Sequence, residues 1–126
     1  MKYFWIPAAL LAALLGASLW NAHFVASEIE PWREAIESSV AAAERNDWQS
    51  ALDAVRSTRE SWDARKPYLH IVTAHDELDK VDTLFAEVES FAIEQDMGEF
   101  RAEASELAVQ FGIIAEMQEL TVRNVL

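Results

Sequence analysis

A chain of 126 residues has room for one domain, and the absence of cysteine excludes disulfides and thiolate-held metal. It carries 22 Asp and Glu against 10 Lys and Arg, a formal charge of −12. That balance excludes a phosphate-binding face, so no nucleic acid is expected as a partner, and a body of this sign is repelled by anionic lipid.

No Asp, Glu, Lys or Arg stands between Tyr3 and Ser27. The apolar stretch Tyr3–Trp20 has aromatic rings at both ends, Tyr3 and Trp5 at one and Trp20 at the other. As a helix rising about 1.5 Å per residue it nearly matches a hydrocarbon core of roughly 30 Å. Lys2 precedes it, and Glu28 and Glu30 follow, which sets the N-terminus inside and the body outside. A cleavable signal peptide needs small residues one and three positions before the cut. Ala26 has Phe24 in the outer position and Ala22 has Trp20, while the pair Gly16 and Ser18 lies within the apolar run. We therefore expect residues 1–27 to stay as a signal-anchor transmembrane helix in the cytoplasmic membrane, with 28–126 as an extracytoplasmic helical domain.

The body shows helix formers throughout, with Gly and Pro at 3 each in the whole chain. A first body helix is expected from about Glu30 to Arg45, capped by Ser27 with Glu30 and opened by Pro31, its stripe being Ile29, Trp32, Ile36, Val40 and Ala43. A second runs from about Asp47 to Arg65 after an Asn46–Gln49 capping box, with Trp48, Leu52, Val55 and Trp62 on one side. Pro67 is expected to open a third helix reaching Gln95, on which Ile71, Ala74, Leu78, Val81, Phe85, Val88 and Ala92 make an unbroken seam. Asp96 and Glu99 cap a fourth, carried by Phe100, Ala104, Leu107, Phe111, Ile114 and Met117, which Gly112 ends or bends. The fold class is all-α: a transmembrane helix followed by a small antiparallel bundle of about four helices in two hairpins. Asp47, Trp48, Ala51, Val55 and Trp62 match Asp96, Met97, Phe100, Ala104 and Phe111 at a spacing of 49, a weak internal repeat that any two amphipathic helices could also give.

One polar constellation stands out, the segment His75–Asp82, HDELDKVD. On a helix His75, Asp79 and Asp82 share a face, a set that could ligate a divalent cation or act as acid and base. The structural alternative is a polar flank of the seam, with Arg56 or Arg59 of the preceding helix paired to Asp79 or Asp82. The structural reading is favoured, so no metal is expected, and His70 is expected to point elsewhere. Trp32, Trp48 and Trp62 fall on stripes and read as core. No nucleophile triad, phosphate loop or cofactor fingerprint is present, so no catalytic residue, cofactor or enzyme activity is expected.

The order of a short signal anchor, ERNDWQSAL at Glu44–Leu52, Trp62 before a basic cluster, HDELDKVD and a closing VRNVL resembles the bacterial small-protein family known as domain of unknown function 4363. The resemblance implies single-anchor helical proteins without an assigned activity, often encoded beside multi-pass membrane proteins. The function expected is a non-enzymatic interaction module on the outer face of the membrane that binds or steadies another envelope protein. The alternative is an extracytoplasmic sensor holding a small ligand or cation between helices. Partners are then the membrane, through the N-terminal helix, and a membrane or envelope protein, with a homo-oligomer as the other candidate. Ile113, Val122 and Val125, apolar residues left over from the seams, are the candidate interface.

Overall fold

The structure, a computed structural model, describes residues 3–125 and the side chains of 3–124. Four helices make it up: α1 (Trp5–Glu44), α2 (Trp48–Val72), α3 (His75–Glu94) and α4 (Met97–Val125), with no strand among the described residues. Each helix packs on its neighbours in the chain, and α4 closes the ring on α1. Along that closing seam Glu44 meets Arg101 at 3.3 Å, Trp32 meets Phe111 with ring centres 5.6 Å apart, and Asn21 meets Gln118 at 2.7 Å. The residue numbers fall on one helix as they rise on the other.

The stripes converge on an aromatic centre to which every helix gives one ring. Trp32 of α1 lies 5.7 Å from Trp62 of α2, Trp62 is 5.9 Å from Phe111 of α4, and Phe111 is 5.8 Å from Phe85 of α3. A second layer, toward the α1–α2 turn, sets Trp48 edge-on to Phe100 at 5.4 Å. Leu78, Val81, Phe85 and Val88 are fully buried, as their spacing requires. Each side chain of this size withdrawn from water contributes about 1.5–3 kcal/mol.

Two helix boundaries differ from the sequence reading, both at prolines. No helix starts near Glu30, because α1 runs for 40 residues from the apolar segment through Pro31 into the bundle. Ser27 does not cap; its hydroxyl donates to the Phe24 carbonyl at 2.8 Å, as a serine inside a helix does. Likewise Pro67 opens nothing: it lies inside α2, which continues to Val72. A proline inside a helix strips the carbonyl four residues earlier of its donor. For Pro31 that residue is Ser27 and for Pro67 it is Asp63, and all four residues are exposed. The chain breaks instead at Thr73 and Ala74, whose backbones are extended. Ile71 therefore belongs to the outer side of α2 and is 81 % exposed, and Ala74 is exposed at the corner; neither joins the seam. Gly112 does not end α4, which passes through it to Val125.

The turns α1–α2 and α3–α4 are built alike. Asn46 and Gln95 take the left-handed conformation, with φ 62 and 58. The Asp47 amide donates to the Ala42 carbonyl at 2.9 Å, and that of Asp96 to Phe91 at 3.0 Å. Each aspartate then caps the next helix, Asp47 accepting from the Ser50 amide and Asp96 from the Glu99 amide, both at 3.2 Å. The cap of α2 is thus Asp47 and not Asn46, while the cap expected at Asp96 is present. The matched positions of the repeat share their environments: Ala51, Val55, Trp62, Phe100, Ala104 and Phe111 are all buried.

Candidate functional site

The His75–Asp82 segment is the first turns of α3, and its side chains part company. Asp82, half-buried, accepts the indole N–H of Trp62 at 2.8 Å and the ammonium of Lys66 at 3.0 Å. A buried indole needs an acceptor, and Asp82 stands on the edge of the seam where it can serve. Asp79 is exposed on the side toward α4. Arg56 and Arg59 pair with neither aspartate. They converge on Glu89, at 2.9 and 3.0 Å, because α3 begins only after the Thr73–Ala74 corner and its register brings Glu89 to their level. The Arg56 hydrogen bond, with Arg59 adding to it against the opposing effect of burial, holds the Glu89 carboxyl below the usual range.

His70 does not point away from His75. The corner folds the end of α2 back on the start of α3, so the two Nδ1 atoms lie 2.7 Å apart with ring centres at 4.7 Å. Among the described residues no group of three or more His, Asp or Glu converges on one point that could hold a metal ion.

A second polar site joins the apolar end of α1 to the bundle. Immediately after Trp20, the Asn21 amide donates to the Gln118 Oε1 at 2.7 Å, and the Tyr68 hydroxyl donates to Asn21. Gln118 in turn donates to the Val72 carbonyl at 3.2 Å and to the Thr73 hydroxyl at 3.0 Å. Four polar groups from α1, α2, α4 and the α2–α3 corner are thereby tied together. The signal in the sequence is a glutamine in phase with Phe111 and Ile114 on the stripe of α4, a polar residue at a core position. Trp20 stacks on Phe24 just outside this network, and Arg65 lies over the Phe24 ring.

The third place is a groove of about 570 Å³ between α3 and α4. Leu84 and Val109 supply its apolar part, and Asp76, Asp79, Glu87 and Glu106 supply carboxylates. Beside it the Glu103 carboxyl stands close to that of Glu87. That contact, with burial and the charges of Glu87, Glu106 and Glu99, pushes the Glu103 carboxyl up to about 7.

Of the apolar residues singled out as an interface, Ile113 is exposed. Val122 is not left over: α4 continues in phase past Gly112, so Val122 follows Ile114 and Gln118 onto the inner face and is 9 % exposed. The Val125 side chain lies outside the described residues. Among the described residues the exposed large apolar side chains of α4 are Val109, Ile113 and Leu120.

A family model described as Domain of unknown function (DUF4363) matches residues 19–125, beginning where the apolar stretch ends. No curated protein and no solved structure matches the chain.

Proposed function

The chain belongs to the DUF4363 family, and from that premise we propose that it is a membrane-anchored, non-enzymatic interaction module. Its body stands on the outer face of the cytoplasmic membrane, where it binds or steadies another envelope protein. The observation that carries this reading is the continuity of α1. By length and composition α1 is apolar enough to cross a membrane, and its most apolar window is only 6 % buried by the rest of the protein. The same helix, from Val25 onward, supplies one wall of the bundle core.

Val25 follows Trp20 by about 7.5 Å of helical rise. With no flexible linker between span and body, and with the Asn21–Gln118 network bracing the joint, the body is held upright within tens of ångströms of the bilayer. Such confinement raises its effective concentration toward neighbours in the same membrane. The polar clusters support the same reading by their engagements: Asp82 serves Trp62 and Lys66, and Glu89 serves two arginines.

A topology reporter fused after Leu126 is expected to be active only outside the cytoplasm, and protein purified from membranes should retain Met1–Ser27. A new N-terminus between Ala17 and Ala26 sinks the anchor, and a reporter active in the cytoplasm sinks the orientation.

A further inference from the structure

We propose that the groove between α3 and α4 docks a basic amphipathic helix of a neighbouring envelope protein. Its cationic side chains would meet Asp79, Glu87 and Glu106, and its apolar face would lie on Leu84 and Val109 and run on to Ile113. This names the class of partner for the interaction module and rests on that reading.

Charge pairing is unequal among the four seams. The α1–α2 seam carries Glu28 with Arg65 at 3.3 Å, and the α1–α4 seam carries Glu44 with Arg101 at 3.3 Å. The α2–α3 seam carries Glu89 with Arg56 and Arg59, and Asp82 with Lys66. The α3–α4 seam has no such pair among the described residues. Its polar bond is Gln110 to Glu77, and Asp76, Asp79, Glu87 and Glu106 line the groove beside it. The one cation lining the groove is Lys80, already 3.6 Å from Glu77.

Carboxylates gathered along one groove repel one another, so a cationic partner gains both attraction and relief of that repulsion. The apolar part of the site is also unmet, since Val109 is 60 % exposed on the groove and Ile113 lies one turn further along the same face. An acidic rim with an apolar strip is the complement of a helix bearing Lys or Arg beside Leu or Val at three- and four-residue spacing. A second copy of the chain would bring more negative charge, and anionic lipid would be repelled. By helical rise the groove stands on the order of 10–25 Å above Trp20, which a segment just outside a neighbour's own membrane span can reach.

The test uses the full chain in lipid nanodiscs and two labelled synthetic helices, one with Leu on one face and Lys on the other, one with Glu replacing every Lys. The Lys helix is expected to bind at least about tenfold more tightly than the Glu helix, and to weaken as salt rises. Reversing Glu87→Lys with Glu106→Lys should weaken it by about tenfold or more, whereas Glu34→Lys with Glu60→Lys, at exposed acids on α1 and α2, should change it less than about twofold. Equal weakening by both pairs would mean attraction to net charge alone and overturns the groove.

In native membranes a photocrosslinker at Val109 should capture a Lys- or Arg-rich helical segment, identified by mass spectrometry, and lose it with the groove reversals. Capture of a second copy alone overturns the proposed occupant. Capture from Ser57 on α2 but not from Val109 overturns the groove and leaves the interaction module standing. Capture from neither position overturns both.

Discussion

The hairpins α1–α2 and α3–α4 share a turn and a set of buried positions, yet α1 has 40 residues and α3 only 20. By the repeat offset, the first residue of α3, His75, corresponds to Ala26 of α1. Everything before Ala26 is an added arm, and nearly all of it is the uncharged apolar segment. The turn and the core are therefore indifferent to what continues upstream of them. A helix that runs through without a break gives one hairpin a long apolar arm, while the corresponding arm of the other begins at the Thr73–Ala74 corner. The second hairpin has no ion pair between its two helices among the described residues; there Gln110 donates to Glu77, which by the repeat offset stands where the first hairpin has Glu28 paired to Arg65.

The largest effects test whether the hairpins are equivalent at their centre. Trp62→Ala and Phe111→Ala should each lower the unfolding free energy by about 3–5 kcal/mol, measured by denaturant unfolding in micelles. Trp62→Ala should cost the more, because Asp82 loses the indole donor as well. If either change leaves stability within about 1 kcal/mol of the parent, the two residues do not hold equivalent places in one core.

A smaller effect is expected at the turns. Asp47→Ala and Asp96→Ala should each lower the melting temperature by roughly 2–8 °C. Asp47→Ala should be somewhat worse, since its second oxygen also accepts the Ser50 hydroxyl at 2.7 Å. A drop at one turn with none at the other would break the likeness of the two caps.

The smallest effect distinguishes the ion-paired α2–α3 seam from the α3–α4 seam through pH. The Glu103 carboxyl, raised to about 7 from an ordinary 4.5, binds its proton more tightly in the folded protein. Its contribution to stability is fully present below 4.5 and is lost as pH rises through about 7. Glu89, lowered by Arg56 and Arg59, acts oppositely: its contribution is present above its ordinary 4.5 and is lost as pH falls through its depressed value. Melting temperature should therefore rise modestly from pH 8 to pH 5 and fall under stronger acid. Glu103→Gln should flatten the upper limb, and Glu89→Gln should flatten the lower. An upper limb unchanged in Glu103→Gln would show that the carboxyl pair does not repel.

Much of this fold is legible in the chain because helical periodicity is a local property. The stripes from Leu78 to Ala92 and from Phe100 to Ile114 mark buried faces whatever they pack on, and the Asp96 cap needs only its own next turn. The stretch Tyr3–Trp20 declares its preference for an apolar surrounding in the same way. The candidate site was less legible. The sequence placed Asp82 at the edge of a seam, but not its partners, and it left His70 apart from His75.

What the sequence by itself determined is helix content, the faces that seek burial, the Asp96 cap, the net charge and the apolar arm. What only the tertiary structure decided is where helices stop and which charges meet. Pro31 and Pro67 look like helix starts in the chain, yet each lies mid-helix, on an exposed side where the missing hydrogen bond costs least, and the packed stripes on either side favour continuing the helix. The break falls at Thr73 and Ala74, where no proline or glycine marks it, and there Gln118 donates to the Val72 carbonyl and the Thr73 hydroxyl. That corner sets the register of α3, and the register chooses Glu89 over Asp79 for the arginines, joins the two histidines and leaves the α3–α4 carboxylates without a cation. Charge pairing depends on distances between residues far apart in the chain, and those are fixed by packing.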